Sequence, residues 1–214
     1  MFLNTVLSNT GLTKYQIAKK SGLPWSTISD VFSGKNSIEK CNGNTLFELS
    51  KVLGCSMEYL ILGSKLEEIK NKHENGEYSV KHKYYKDTLS ILPSQVVLAY
   101  SSAIEYHNMT NGDFSSEVEV YSTENLPYPF IVHKVDSFEN IDIEKKDGIF
   151  ITSLNQTFND LLRCDKTDSQ ILFESLGKYY YKNNETFNNL SLDADTIEIF
   201  NNVKEEAISY WDEE

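Results

Sequence analysis

The stretch TKYQIAKKSGLPWSTISDVFSGK, residues 13–35, decides how the front of this chain folds. Thr13 stands before an apolar-periodic run, and Gln16 follows three residues later, which is the spacing of a capping box that begins a helix. Gly22 ends that helix, and Pro24 follows at the place of a first helical residue, where its missing N–H is not needed. The stretch therefore predicts two short helices joined by a tight turn at Gly22.

Apolar residues at helical spacing predict three further helices around this stretch. One covers residues 2–9, a second begins at Asn44 or Thr45 and is stopped by Gly54, and a third is capped by Ser56. Five short helices in so short a segment predict a compact helical domain. The tight turn would let one helix of this domain be presented to a groove.

The remainder of the chain has a different pattern. Residues 64–77 are polar and charged, and they predict a linker with one helical stretch near Leu66 and Ile69. Residues 78–214 predict an α+β domain, with strands in the middle and helices at the ends. The helices are expected at 93–107, opened by Pro93 and Ser94, and at 158–162, 171–180 and 197–211, and the strands at 118–120, 130–132 and 148–151.

Charge is divided unevenly along the 214 residues, which carry a net charge of −12. Residues 1–65 hold seven lysines against four acidic side chains, a net +3, so the remaining residues carry −15. A basic segment can approach phosphates, whereas an acidic one is repelled by them. We therefore expect the front to bind nucleic acid and the rest to face a different partner.

Sequence features that direct a protein to a membrane are missing from this chain. No apolar run approaches the ~20 residues of a membrane span, and the first residues lack the basic region and apolar core of a signal peptide. We therefore expect a cytoplasmic protein without a membrane partner. Cys41, Cys55 and Cys164 form no CxxC pair and are expected to fill space or lie at the surface.

Residue types that carry catalysis are scattered. The four histidines form no HxxxH or HExxH pattern and the ten glycines form no phosphate-binding loop, so we expect no metal, no cofactor and no enzymatic activity. One enzymatic alternative stays open, a Ser–Lys self-cleaving peptidase with Ser137 as nucleophile and Lys178 as its base. Lys178 falls on a predicted helix, whereas such a peptidase needs it on a strand.

Three segments of the front resemble the Cro/C1-type (XRE) helix-turn-helix family. The resemblance includes Ala18 in the first motif helix, Gly22 in the turn, Gly34 after the second helix and the closing run LSKVLGCSMEYL. The matching segments are residues 13–29, 34–35 and 45–60.

This resemblance implies a multi-domain protein whose first part, residues 1–63, is an all-α, five-helix, lambda-repressor-like domain. Such a domain binds double-stranded operator DNA as a homodimer, and residues 24–33 would be its recognition helix. The implied DNA-binding residues are Lys14, Gln16, Trp25, Ser26, Thr27, Ser29, Asp30, Lys35 and Asn36.

Some of these residues would contact phosphates, and the others would contact bases. Lys14, Lys35 and Asn36 are expected at phosphates, because they lie next to helix ends that face the backbone. The front contains no arginine, so the commonest bidentate contact to guanine cannot form. Trp25 and Thr27 are then expected against thymine methyl groups, with packing inside the protein as the alternative for Trp25. Ser26 and Ser29 could bond either type of pair, Asp30 a cytosine amino group and Gln16 an adenine.

A second resemblance covers much of residues 90–190. The segments SAIEYHNM at 102–109, ITSLNQTFNDLLR at 151–163 and LFESLGKYY at 172–180 are similar to the C-terminal domain of AbiEi-type antitoxins. This resemblance implies a toxin partner, a nucleotidyltransferase in that family. Four polar residues of these segments are either functional, or structural through caps and core hydrogen bonds: Ser102, His107, Thr157 and Asp160.

The sequence thus predicts a transcriptional repressor that is the autoregulating antitoxin of a toxin–antitoxin or phage-defence operon. Two alternatives stay open. The first is a phage-type repressor whose C-terminal domain dimerises or senses a signal. The second is a repressor that carries the Ser–Lys autoprotease.

Overall fold

The chain divides into two compact units in the computed structural model. The first comprises Met1–Ser79 with Pro127–Pro129, and the second comprises Val80–Leu126 with Phe130–Glu214. The structure describes residues 2–78, 81–92, 94–111 and 117–212, apart from the side chains of residues 81, 211 and 212. The predicted order, a helical front followed by an α+β region, is confirmed.

Five α-helices and one 3-10 turn form the first unit, and local capping explains where they begin. Thr13 and Gln16 make the predicted capping box, with the Thr13 N–H donating to Gln16 Oε1 at 2.8 Å. Gly22 ends the second helix in the left-handed conformation at φ +70°. The helices are α1 (Phe2–Thr10), α2 (Lys14–Ser21), α3 (Trp25–Phe32), α4 (Gly43–Leu53) and α5 (Met57–Glu74), with the 3-10 turn at Ile38–Lys40.

Helix α5 corrects the expectation of a linker at residues 64–77. The helix continues without a break to Glu74, and Leu66 is completely buried. Leu60, Gly63 and Leu66 follow one another at three-residue spacing on its buried side. Two ion pairs along the helix, Lys70–Glu74 and Lys72–Glu68, support the same turns.

The longer helix changes the charge of the first unit. Residues 66–79 add two lysines and four acidic residues, so residues 1–79 carry nine basic against eight acidic side chains. The net charge is +1 instead of the +3 counted to residue 65. Attraction to phosphate therefore depends on where the lysines lie, because the unit as a whole is nearly neutral.

A mixed five-stranded sheet in the order β3-β2-β1-β5-β4 organises the second unit. The central strand β1 pairs antiparallel with β2 and parallel with β5. Strand β3 runs parallel to β2, and β4 runs antiparallel to β5. The strands are β1 (Val97–Leu98), β2 (Val118–Ser122), β3 (Phe130–Lys134), β4 (Ile143–Lys146) and β5 (Ile149–Thr152).

Five helices accompany this sheet, and one of them differs from its prediction. The helix expected at 93–107 is a strand at Val97–Leu98 followed by a helix that begins at Tyr100, because β1 lies between β2 and β5 with both residues fully buried. Pro93 lies outside the described residues. The helices are α6 (Lys81–Ser90), α7 (Tyr100–Tyr106), α8 (Leu154–Arg163), α9 (Ser169–Lys182) and α10 (Ile197–Asp212).

Besides β1, two other elements of the second unit were not predicted. Helix α6 has a largely polar sequence, and its buried residues include the tyrosines Tyr84 and Tyr85. Strand β4 has only four residues, and three of them are charged. No helix within the described ranges is long and apolar enough to cross a membrane.

Gly63 of α5 lies close against the ring of Phe2 on α1. A methyl group added there would lie 2.1 Å from the Phe2 ring, which is itself buried. We expect Gly63→Ala to destabilise the first unit by about 1–3 kcal/mol, since overpacking forces the ring out of its site. Thermal and urea unfolding measure the loss.

Gly43 supplies the matched control for that substitution. A methyl group at Gly43 meets nothing within 4 Å, so Gly43→Ala should cause no loss of stability. Phe2→Leu should recover part of the stability of the Gly63→Ala variant. Equal stability of the two alanine variants would contradict the proposed contact.

Candidate functional site

Helix α3 presents one side to solvent and buries the other. It follows α2 after the three residues 22–24, and it packs on α2 through Ile28 and Phe32, which are buried. Trp25, its first residue, is 54% exposed although it is a large aromatic residue. The alternative expectation, that Trp25 packs inside the protein, is therefore wrong.

Polar residues continue this exposed surface along α3. Ser26 is exposed, while Thr27, Ser29 and Asp30 are half-buried. Their hydroxyl and carboxylate groups are short, so they can reach only a ligand that lies close to the helix. A base edge in a DNA groove meets that requirement.

Tyr15 belongs to this surface and was not predicted. It lies in the first turn of α2 and is 69% exposed, more than any other large hydrophobic residue the structure describes as exposed. Its neighbour Ile17 is completely buried, so Tyr15 occupies a position where the helical period calls for a polar residue. An aromatic residue at a position where a polar one is expected was the sequence signal that could have identified Tyr15. The pair α2–α3 therefore exposes two aromatic side chains.

Gln16 is held by the helix start and does not reach outward. Its Oε1 accepts the Thr13 N–H at 2.8 Å and the Thr13 hydroxyl at 3.2 Å. A glutamine that pairs with adenine uses the same carboxamide oxygen. Gln16 would have to leave the capping box before it could read a base.

The charged residues near α3 are close to its C-terminal end. The Lys14 ammonium lies 5.7 Å from the centre of the Phe32 ring. The Lys35 ammonium lies 3.3 Å from Asp30 Oδ1, and the Asn36 N–H donates to the Asp30 carbonyl at 3.0 Å. The structure thus brings Asp30, Lys35 and Asn36 together. An exposed ion pair of this kind is weak, so it can be exchanged for a phosphate contact.

Three of the four polar residues singled out in the second unit have structural partners. Ser102 Oγ accepts the Glu119 N–H at 2.9 Å, which joins α7 to β2. His107 Nε2 lies 2.9 Å from the Thr152 carbonyl oxygen, and burial lowers its pKa. The hydroxyls of Thr157 and Thr152 are 2.7 Å apart, which joins α8 to β5. These contacts support the structural interpretation of the three residues.

Asp160, the fourth, lies at the centre of a buried polar cluster. It is 2% exposed, and Gln156 Nε2 donates to its Oδ1 at 2.8 Å. Burial raises the pKa of the Asp160 carboxyl, and the hydrogen bond from Gln156 and the neighbouring Tyr121 hydroxyl oppose that shift. The Tyr121 hydroxyl in turn donates to the Tyr100 hydroxyl at 3.2 Å. The cluster is positioned by the sheet and by α8.

His133 extends the same face of the sheet. Its ring stacks on Tyr100 with centroids 3.6 Å apart, and its Nε2 lies 2.9 Å from Glu119 Oε2. Tyr121 and His133 are directly paired between β2 and β3, so their side chains lie on one face. Sequence reasoning missed Tyr100 and His133, because their contact joins α7 to β3, which are distant in the chain.

Comparison of the chain with family models, with curated proteins and with solved structures found no match. The geometry of the two units therefore carries the functional argument.

A Ser–Lys pair receives no support from the described contacts. Ser137 is exposed, and its hydroxyl accepts the Glu139 N–H at 3.5 Å. Lys178 lies on α9, where its ammonium donates to the Thr110 carbonyl at 3.1 Å and to Asn111 Oδ1 at 2.7 Å. A lysine that activates a serine must lie within hydrogen-bond reach of its hydroxyl.

Burial of Asp160 predicts a distinctive pH dependence. Because its pKa is raised in the folded state, its contribution to stability is present below the unfolded pKa of about 3.9 and is lost as pH rises through the folded value. Asp160→Asn removes the charge and retains an acceptor for Gln156. Relative to the parent protein, this variant should gain stability between pH 4 and pH 7.

Urea unfolding of the parent and the variant at both pH values measures this gain. Asp165→Asn is the control, since Asp165 is exposed on the loop after α8. The Asp165→Asn substitution should change the free energy of unfolding by the same amount at both pH values. A difference for Asp160→Asn that stays constant or reverses with pH would contradict the assignment.

Proposed function

We propose that this chain is a DNA-binding transcriptional repressor, with α3 as the helix that enters the major groove. The exposed first turn of α3, with Trp25 at its start, carries the proposal. An eight-residue helix is about 12 Å long, and the major groove, about 12 Å wide, admits a helix. The buried residues Ile28 and Phe32 fix the opposite side of α3 to the unit.

In this proposal, the protein recognises its DNA sequence through contacts to thymine methyl groups and through hydrogen bonds from hydroxyl groups. The first unit has no arginine, and Gln16 is engaged at the start of α2. Trp25 and Thr27 remain for thymine methyl groups, and the serines of α3 for hydrogen bonds to either base pair. Half-sites rich in thymine are therefore expected. A homodimer would bind two of them about 34 Å apart.

In this proposal, residues near the ends of α2 and α3 contact the DNA phosphates. The first unit has a net charge close to zero, so steering by the whole unit is weak. Lys14 and Lys35, which lie at the beginning of α2 and after α3, are the residues assigned to phosphates. Binding should weaken with salt because each contact releases counterions.

The second unit is assigned to a protein partner. Residues 80–214 carry 11 basic against 24 acidic side chains, a net −13, which opposes contact with DNA. Such a surface is complementary to a basic protein. Together with the resemblance to antitoxins, the charge supports an autoregulating cytoplasmic antitoxin of a toxin–antitoxin or phage-defence operon.

Trp25→Ala tests the DNA half of the proposal. On sites selected from random duplex DNA by the full chain, it should weaken binding about tenfold, the order of one lost base contact. It should leave the melting temperature nearly unchanged, because Trp25 is largely exposed. Electrophoretic mobility shift and thermal unfolding measure the two effects.

Phe47→Ala is the control for the loss of an exposed aromatic residue. Phe47 is 49% exposed on α4, outside the helix pair assigned to DNA, with the Lys51 ammonium 4.9 Å from its ring centre. Its loss should leave affinity unchanged. Equal affinities of the two variants would show that α3 is not the recognition helix.

Co-expression tests the protein-binding half. The gene adjacent to this one is placed under a foreign promoter, so that repression of its own operator cannot protect the cells. The full chain should restore growth, and the Trp25→Ala variant should restore it equally, because antagonism is assigned to the second unit. Failure of both to restore growth would overturn the antitoxin assignment and leave the DNA assignment intact.

A further inference from the structure

The two outer strands of the sheet differ in how they are protected. Within the described residues, β3 pairs only with β2 and β4 only with β5, so each has an outer edge. Strand β4 carries Lys145 and Lys146, and lysines on an edge oppose the addition of another strand. Strand β3 has a lysine only at its last residue, Lys134, and in its interior it carries Ile131, which is 40% exposed. The β3 edge is therefore the more open of the two.

An acidic cavity of 370 Å³ adjoins the β3 edge. Ile131 lines it, and so does Glu119, the residue paired with Ile131 across β2 and β3. Residues paired in this way project from one face of the sheet, so the cavity opens on the face from which Ile131 projects. The charged lining residues are Glu105, Glu117, Glu119, Asp168 and a single lysine, Lys166.

Several of these carboxylates are held in place by the fold. Glu119 is bound to His133, and Glu105 accepts a hydrogen bond from the Tyr85 hydroxyl. Asp168 caps α9 by accepting the Gln170 N–H at 2.8 Å. A lining with four carboxylates and one ammonium attracts a cation without having to reorganise.

The kind of cation follows from the geometry. Within the described ranges, no group of three or more His, Cys, Asp or Glu side chains is placed to hold a metal ion. The lining also contains aliphatic surface from Ile131 and Ile171. An aliphatic stem with a cationic end, as in lysine or arginine, fits both features.

We propose that the β3 edge and this cavity together bind an extended, basic segment of a partner protein. The segment adds to the sheet as a strand beside β3, and one of its lysine or arginine side chains enters the cavity. Main-chain hydrogen bonds would supply affinity and the charged pocket specificity. The inference rests on the part of the proposed function that gives the second unit a protein partner, and it adds the chemistry of that partner.

The probe is a random decapeptide library displayed on phage and selected on the full-length protein. Selected peptides should alternate apolar and polar residues, lack proline and contain lysine or arginine at one common position. A synthetic copy of the best peptide, labelled with a fluorophore, then reports affinity by fluorescence anisotropy. Replacing its common basic residue with norleucine should weaken binding about tenfold.

Two variants of the protein test the two parts of the site. Ile131→Lys places a charge on the edge strand, and Glu117→Lys reverses a charge in the cavity. Each should weaken peptide binding by about tenfold, because each sets a like charge against the basic peptide. Ile199→Lys and Glu205→Lys on α10 are the controls, since Ile199 is 38% exposed and Glu205 is exposed. Both should bind within twofold of the parent protein.

The outcomes separate this inference from the proposed function. Selection that yields no binding peptide, peptides without a common basic residue, or equal binding by the Ile131→Lys and Ile199→Lys variants would each overturn it. The same two site variants should also fail to restore growth in the co-expression assay. If the parent protein and both site variants all restore growth, the antitoxin assignment stands and the proposed peptide site is wrong. DNA binding by all four variants should be unchanged.

Discussion

Both units depend on acceptors for the backbone N–H groups at the starts of their helices. The first N–H groups of a helix have no partner within it, and burial without an acceptor would cost free energy. Five helices of the chain solve this in the same way, with a side chain at the N-cap that accepts an N–H from the first turn. In the first unit this fixes where the chain turns between short helices, and in the second it fixes where α8 and α9 begin. The capping residues are Thr13, Asn42, Ser56, Ser153 and Asp168.

Helix α3 departs from this pattern at the place where the function is proposed. Its N-cap is Pro24, which offers no side-chain acceptor to the first turn. The start of α3 is therefore open where Trp25 and Ser26 are exposed. An uncapped helix start with a favourable dipole is compatible with a nearby phosphate. Gln16 of α2 is the opposite case, because its side-chain oxygen is engaged in capping the start of its own helix.

The second unit shows how structural and functional residues can be confused in a sequence. Ser102, His107 and Thr157 are polar residues in recognisable segments, yet each joins a helix to the sheet through a hydrogen bond. The inferred partner site depends on other residues, an exposed isoleucine on an edge strand and carboxylates on several elements, although Ser102 also lines its cavity. Glu119 belongs to both groups, since its N–H holds α7 and its carboxylate lines the cavity.

Local rules allowed the sequence by itself to determine the five helices of the first unit, the Thr13 and Ser56 caps, and the order of a helical front before an α+β region. The start of α4 was misplaced, since Asn42 caps it and it begins at Gly43 instead of at Asn44 or Thr45. Helical periodicity and capping involve residues three or four positions apart, so they can be recognised in the sequence without knowledge of the fold. The tertiary structure alone decided the rest. Residues 64–74 are mostly polar and predicted a linker with one helical stretch, and the burial of Leu66 shows that α5 continues through them to Glu74. Val97 and Leu98 fit a helical pattern, and pairing with β2 and β5, distant in sequence, makes them a strand. The acidic cavity likewise depends on residues far apart in the chain, because only tertiary packing brings Glu105 of α7 and Asp168 before α9 to one site.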